Sequence, residues 1–60
     1  MLYVLKVTED GEVYEYEYGN LRHALEQYDK EETATVIEYY YGKEKILVSK
    51  ICGKDLTIQN

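Results

Sequence analysis

Residues 2–18 read LYVLKVTEDGEVYEYEY, two runs rich in β-branched and aromatic residues on either side of Asp10-Gly11. Asp-Gly is a two-residue turn of the kind hairpins prefer, so the stretch predicts a β-hairpin. With that turn, Val7 faces Tyr14, Leu5 faces Tyr16 and Tyr3 faces Tyr18, gathering a coherent apolar face. The other side pairs Lys6 with Glu15 and Val4 with Glu17, so its charges point to water as a period of two requires. Glu9 opposite Glu12 is a mildly unfavourable like-charge pair beside the turn.

Beyond the hairpin, Gly19-Asn20 breaks the alternation. The Asn20 side-chain oxygen can accept a free N–H of a first helical turn, so a helix is expected to begin there. Leu21, Ala24, Leu25 and Tyr28 fall at i, i+3, i+4 and i+7 and line one face of a short amphipathic helix ending within Asp29–Glu32. Arg22, His23, Glu26 and Gln27 look outward. A helix of about three turns is marginal alone and must draw its stability from a sheet beneath it.

Thr33–Tyr41 and Lys45–Cys52 predict a second pair of strands joined through Gly42-Lys43, where Gly at the first central position suits a type II′ turn. In that register Tyr39 faces Ile46 and Ile37 faces Val48, continuing the core face. The opposite face then holds Ala34, Val36, Tyr40, Leu47 and Ile51, interrupted only by Glu38, Lys45 and Ser49. Residues 53–60 carry Leu56 and Ile58 at alternate positions, a pattern that fits either a short edge strand or a frayed end.

Hairpin, helix, hairpin in this order predicts an α+β fold, a two-layer ββαββ arrangement with one helix on one face of a four-stranded antiparallel or mixed sheet. Residues 1–60 are expected to form one small domain, with Leu2–Thr8 and Lys45–Cys52, the most apolar strands, in the middle.

Composition bounds what such a domain can do. Sixty residues keep only about 60% of the unfolded surface from water, so stability is expected to be marginal. Hydrophobic residues at 45% and charged residues at 32% suit a folded domain better than a disordered tail. The single cysteine, Cys52, excludes an intrachain disulfide, and one His without a Cys pair excludes the common structural zinc sites. No apolar run is long enough for a transmembrane span. The start MLYVLKVTED lacks a basic region and a small-residue cleavage site, so the chain reads as cytoplasmic.

The net charge of −5 is unevenly spread: residues 9–38 hold ten acids against Arg22 and Lys30, a balance of −8, whereas residues 39–60 are net positive by 2. Such a field repels phosphate backbones and attracts basic surfaces, which makes duplex nucleic acid a poor partner. The plainer reading is that the acids keep a small protein soluble.

No catalytic, cofactor-binding or metal-binding motif is present. His23 reads as a solvated helix residue, and Cys52 as a small, half-buried thiol with no His or helix start beside it. The four glycines are dispersed as turn residues rather than gathered in a phosphate loop. Glu15 and Glu17 share a strand face about 6.8 Å apart, too regular for a metal cage but well placed as a ladder. All eight aromatics are Tyr, a residue that combines contact area with a hydroxyl for water or a partner.

These features predict a non-catalytic acidic module that binds or inhibits a protein with a basic surface, its acidic surface formed by Glu12, Glu15 and Glu17. They also predict a homodimer through the second apolar face at Val36, Tyr40, Leu47 and Ile51, since a one-sided core this small rarely supplies more than about 3–5 kcal/mol. Within one chain, Leu56 and Ile58 folding back over that face would remove the need for a dimer. The alternative function is single-stranded nucleic-acid binding through Tyr39, Tyr40, Tyr41 and the nearby lysines. In size, acidity and element order the chain resembles the short accessory proteins carried by bacteriophages and mobile elements, a likeness of style that transfers no functional residue.

Overall fold

A computed structural model describes residues 1–56. Among the described residues, five strands, β1 (Leu2–Glu9), β2 (Glu12–Tyr18), β3 (Ala34–Tyr40), β4 (Lys43–Ile51) and β5 (Lys54–Leu56), form one sheet, with a single helix α1 (Leu21–Asp29) between β2 and β3. The spatial order is β2-β1-β3-β4-β5, and every neighbouring pair is antiparallel. The expected four-stranded, two-layer ββαββ arrangement is therefore corrected to a five-stranded, mostly β fold with one short helix. The extra strand is β5, which the Cys52-Gly53 turn brings back along β4. Residues 57–60, including Ile58, lie outside the described residues.

The first hairpin has the register its sequence predicts, from Tyr3 opposite Tyr18 to Glu9 opposite Glu12. The helix also follows its sequence: Asn20 Oδ1 accepts the Arg22 N–H at 2.8 Å, while Ala24 and Tyr28 are buried and Leu21 and Leu25 pack beside them. Beneath the helix lies the core of Leu5, Val7, Ala34 and Val36, in which Leu5 and Val36 are directly opposite and fully buried.

The second hairpin departs from expectation. Its turn is Tyr41-Gly42, not Gly42-Lys43, with φ of 49° and 74°. Two positive φ values make a type I′ turn, whose twist matches that of the flanking strands. Glu38 consequently faces Lys45, Tyr39 faces Glu44 and Ile37 faces Ile46, until an irregularity between Val36 and Ile37 sets Val36, rather than Ile37, opposite Val48. Leu47 is the extra residue of this bulge, and both Leu47 and Val48 pack against the core. The faces of β3 are the reverse of those expected, as its pairing with β1 requires, Leu5 lying opposite Val36 and Val7 opposite Ala34. Ala34 and Val36 lie under the helix, while Ile37 and Tyr39 join Val4 on the other side of the sheet. Strand order is corrected too: β3 is central, with β1 and β4 on either side of it.

Backbone contacts of the α1–β3 loop tie the sheet's parts together. Thr33 C=O accepts the Thr8 N–H at 3.0 Å, its Oγ1 accepts the Cys52 N–H at 3.1 Å, and the Glu32 C=O accepts the Gly53 N–H at 2.6 Å. On the β5 side, the Tyr28 hydroxyl donates to Asp55 Oδ1 at 3.1 Å. Lys50, opposite Asp55 in the ladder, is 7% exposed and sets its Nζ 4.4 Å from the centre of the Tyr28 ring, a cation–π contact. Burial first, and then the hydrogen bond to Asp55, push the Tyr28 hydroxyl pKa up to about 12.

Candidate protein interface

The four residues expected to form a self-association face do not share a surface. Val36 is in the core at 0% exposure, because it lies directly opposite Leu5 of β1 on the helix side of the sheet. Leu47 packs against the same core. Tyr40 is exposed at the end of β3, where its ring lies 4.3 Å from that of Tyr41. Ile51 is exposed beside the β4–β5 turn.

The tyrosine and lysine cluster expected for a nucleic acid is likewise dispersed. Tyr39 faces Glu44 across the ladder, and that carboxylate raises its hydroxyl pKa. Lys45 faces Glu38, Lys50 is buried against Tyr28, and Lys54 is on β5 at the sheet's far edge. Only Lys43 is left beside the tilted ring pair of Tyr40 and Tyr41, so no positive groove runs along them.

Glu12, Glu15 and Glu17, by contrast, all lie on one element. They are exposed on β2, an edge strand whose side chains are exposed throughout except for half-buried Tyr18. Glu15 and Glu17 point to the face without the helix, beside Val13 at 60% exposure. Glu12 accepts the Tyr14 hydroxyl through Oε2 at 2.7 Å, and this bond is the main reason the Tyr14 pKa is raised. On the helix side, Tyr16 and Tyr18 meet Gln27 and Glu31 in a shallow groove of about 260 Å³.

The sequence does not single out the backbone of β2, yet the register defines its state. A two-residue turn makes Glu9 and Glu12 a hydrogen-bonded pair, and alternation makes Tyr14, Tyr16 and Tyr18 bond to β1 as well. The peptide groups of Val13, Glu15 and Glu17 therefore point away from the sheet. The Thr8 N–H, directed to Thr33 rather than to β2, has the parity this assignment requires.

For chemistry the structure offers little. His23 is exposed on α1, and Cys52 is exposed in the β4–β5 turn with φ 52°, not half-buried as expected. Its position as a turn residue, with the side chain projecting from the tip, accounts for the difference. Among the described residues no group of three or more His, Cys, Asp or Glu side chains is placed to hold a metal ion, and no helix is long and apolar enough to cross a membrane. A second depression, of about 320 Å³, is lined by Glu9, Asp10, Glu31 and Glu32 with Lys30. No protein family, curated protein or solved structure matches the chain.

Proposed function

We propose that this chain is a non-catalytic interaction module that binds a partner protein through its acidic edge strand β2, the partner presenting a basic surface. The observation that carries the reading is the concentration of Glu12, Glu15 and Glu17, with no basic residue, on β2, among the described residues the one long strand lying at an edge of the sheet. Exposed charge of one sign guides the approach of a partner of the other sign, and acts more on association than on dissociation. Binding or inhibition of a basic protein in the cytoplasm is the role that fits this surface.

Affinity capture from the native host, with the parent chain and a Glu15→Gln/Glu17→Gln double variant as baits, tests the proposal. A basic protein retained by the parent, and associating several-fold more slowly with the double variant at low salt, is the expected result. Equal association rates for the two would reduce the carboxylates to solubilising residues. Titration with a single-stranded 20-mer closes the nucleic-acid alternative: binding that weakens with a negative log–log salt slope would overturn the protein-partner reading.

A further inference from the structure

We infer that β2 receives its partner by strand addition, the ligand being an extended segment of a protein with Lys or Arg at alternate positions. This inference rests on the acidic-surface reading and specifies how that surface is used. Three observations carry it. The outward peptide groups of Val13, Glu15 and Glu17 form an unpaired row of donors and acceptors, the template for another strand. The edge is guarded by charge of one sign alone: β2 contains no Pro, no Lys and no bulge, its pairing with β1 is continuous over seven positions, and its three charged residues are all Glu. Finally, its charge selects the occupant. A second copy pairing antiparallel about a two-fold axis at Glu15 would set Glu15 against its own equivalent, and like charges directly opposite are unfavourable. A strand with basic residues at every second position sets them against Glu15 and Glu17 instead. Its alternate residues then fall on the helix side, beside Tyr14, Tyr16 and the groove shared with Gln27 and Glu31.

The opposite edge does not offer the same site. Strand β5 has three residues in which Lys54 and Asp55 bring opposite charges, and Asp55 is already engaged by Tyr28. The selectivity is therefore a property of β2.

A nine-residue peptide of alternating Lys and Val, capped at both ends, is the probe. Its comparison peptide has the same sequence with N-methyl groups on the amides of one edge, which removes backbone donors but keeps every charge. Titration of the full chain, followed by calorimetry and amide hydrogen exchange, is expected to show at least tenfold weaker binding of the methylated peptide. The parent peptide is expected to slow exchange at the amides of Val13, Glu15 and Glu17, which the sheet leaves free, and to leave those of Tyr14, Tyr16 and Tyr18 nearly unchanged. Equal binding of the two peptides, without that alternating protection, would overturn strand addition while leaving the acidic surface as an electrostatic site. Failure of both peptides to bind at low salt would overturn both readings. Sedimentation of the free chain as a dimer whose formation protects the same three amides would replace the basic segment by a second copy.

Discussion

The two long hairpins of this sheet are built on the same plan and behave differently as readings of sequence. Both reverse through a residue followed by Gly, with both central φ values positive: 52° and 79° at Asp10-Gly11, 49° and 74° at Tyr41-Gly42. In the first hairpin the turn residue, the alternation and the charge pattern agree, and every pair falls where it is predicted. In the second a tyrosine occupies a left-handed position that Asn, Asp or Gly usually fills, and an extra residue, Leu47, interrupts the ladder. The comparison teaches that register depends on agreement between turn chemistry and strand period. A strand pair apolar on both sides loses the second of these guides.

The largest expected effect tests whether the two hairpins are one cooperative unit. They meet at Leu5 and Val36, directly opposite each other and fully buried under the helix. Leu5→Ala is expected to cost about 3 kcal/mol through lost burial and a residual cavity. Amide signals from both hairpins should report the same midpoint in denaturant. Separate midpoints would divide the molecule at this seam.

An intermediate effect belongs to the link between α1 and β5. The Tyr28 hydroxyl has a folded pKa raised from 10.0 to about 12, chiefly by burial. Between those values the unfolded chain has lost the proton and the folded chain keeps it, so this contribution is whole below pH 10 and is lost as pH rises toward 12. The loss should approach about 1.4 kcal/mol per pH unit at most. The measurement is the difference between the parent and Tyr28→Phe in urea unfolding from pH 9 to 12, which cancels every group common to the two. Parallel profiles would show that Tyr28 contributes no such dependence.

The smallest effect sharpens the turn comparison itself. Tyr41→Asn should stabilise the chain by about 1 kcal/mol, because the short polar side chain of Asn tolerates the left-handed region better than Tyr does, and Asp10→Tyr should destabilise it by a similar amount. Chemical denaturation measures both. A loss of stability in Tyr41→Asn would mean that the Tyr40–Tyr41 contact outweighs the backbone term.

Much of the sheet's first half was legible. Asp10-Gly11, the Asn20 cap and the spacing of Leu21, Ala24, Leu25 and Tyr28 each specify one geometry, and the structure adopts it. The third hairpin was harder to read because its turn, Cys52-Gly53, again puts an unusual residue at positive φ. The bulge at Leu47 has no local signal, since Ile46-Leu47-Val48 fits a strand in either phase. The side of β3 that meets the helix is set instead by its pairing with β1, a long-range choice with no local signal, and this took Val36 out of the expected self-association surface. The acids of β2 were legible because an edge-strand residue keeps its exposure whatever the central register. The edge position of β2 follows from placing the apolar Leu2–Thr8 strand in the interior of the sheet, and the strand order agrees.

The arrangement of turns also bears on how the sheet forms. Three of the four strand pairings, β1 with β2, β3 with β4 and β4 with β5, close through two-residue turns. Such pairings need little loop closure and can form early and locally. Only β1 with β3 joins distant parts of the chain, across β2 and the helix. The entropic barrier to folding therefore concentrates in that one encounter, which brings Leu5 to Val36 and lets the helix settle on the completed floor.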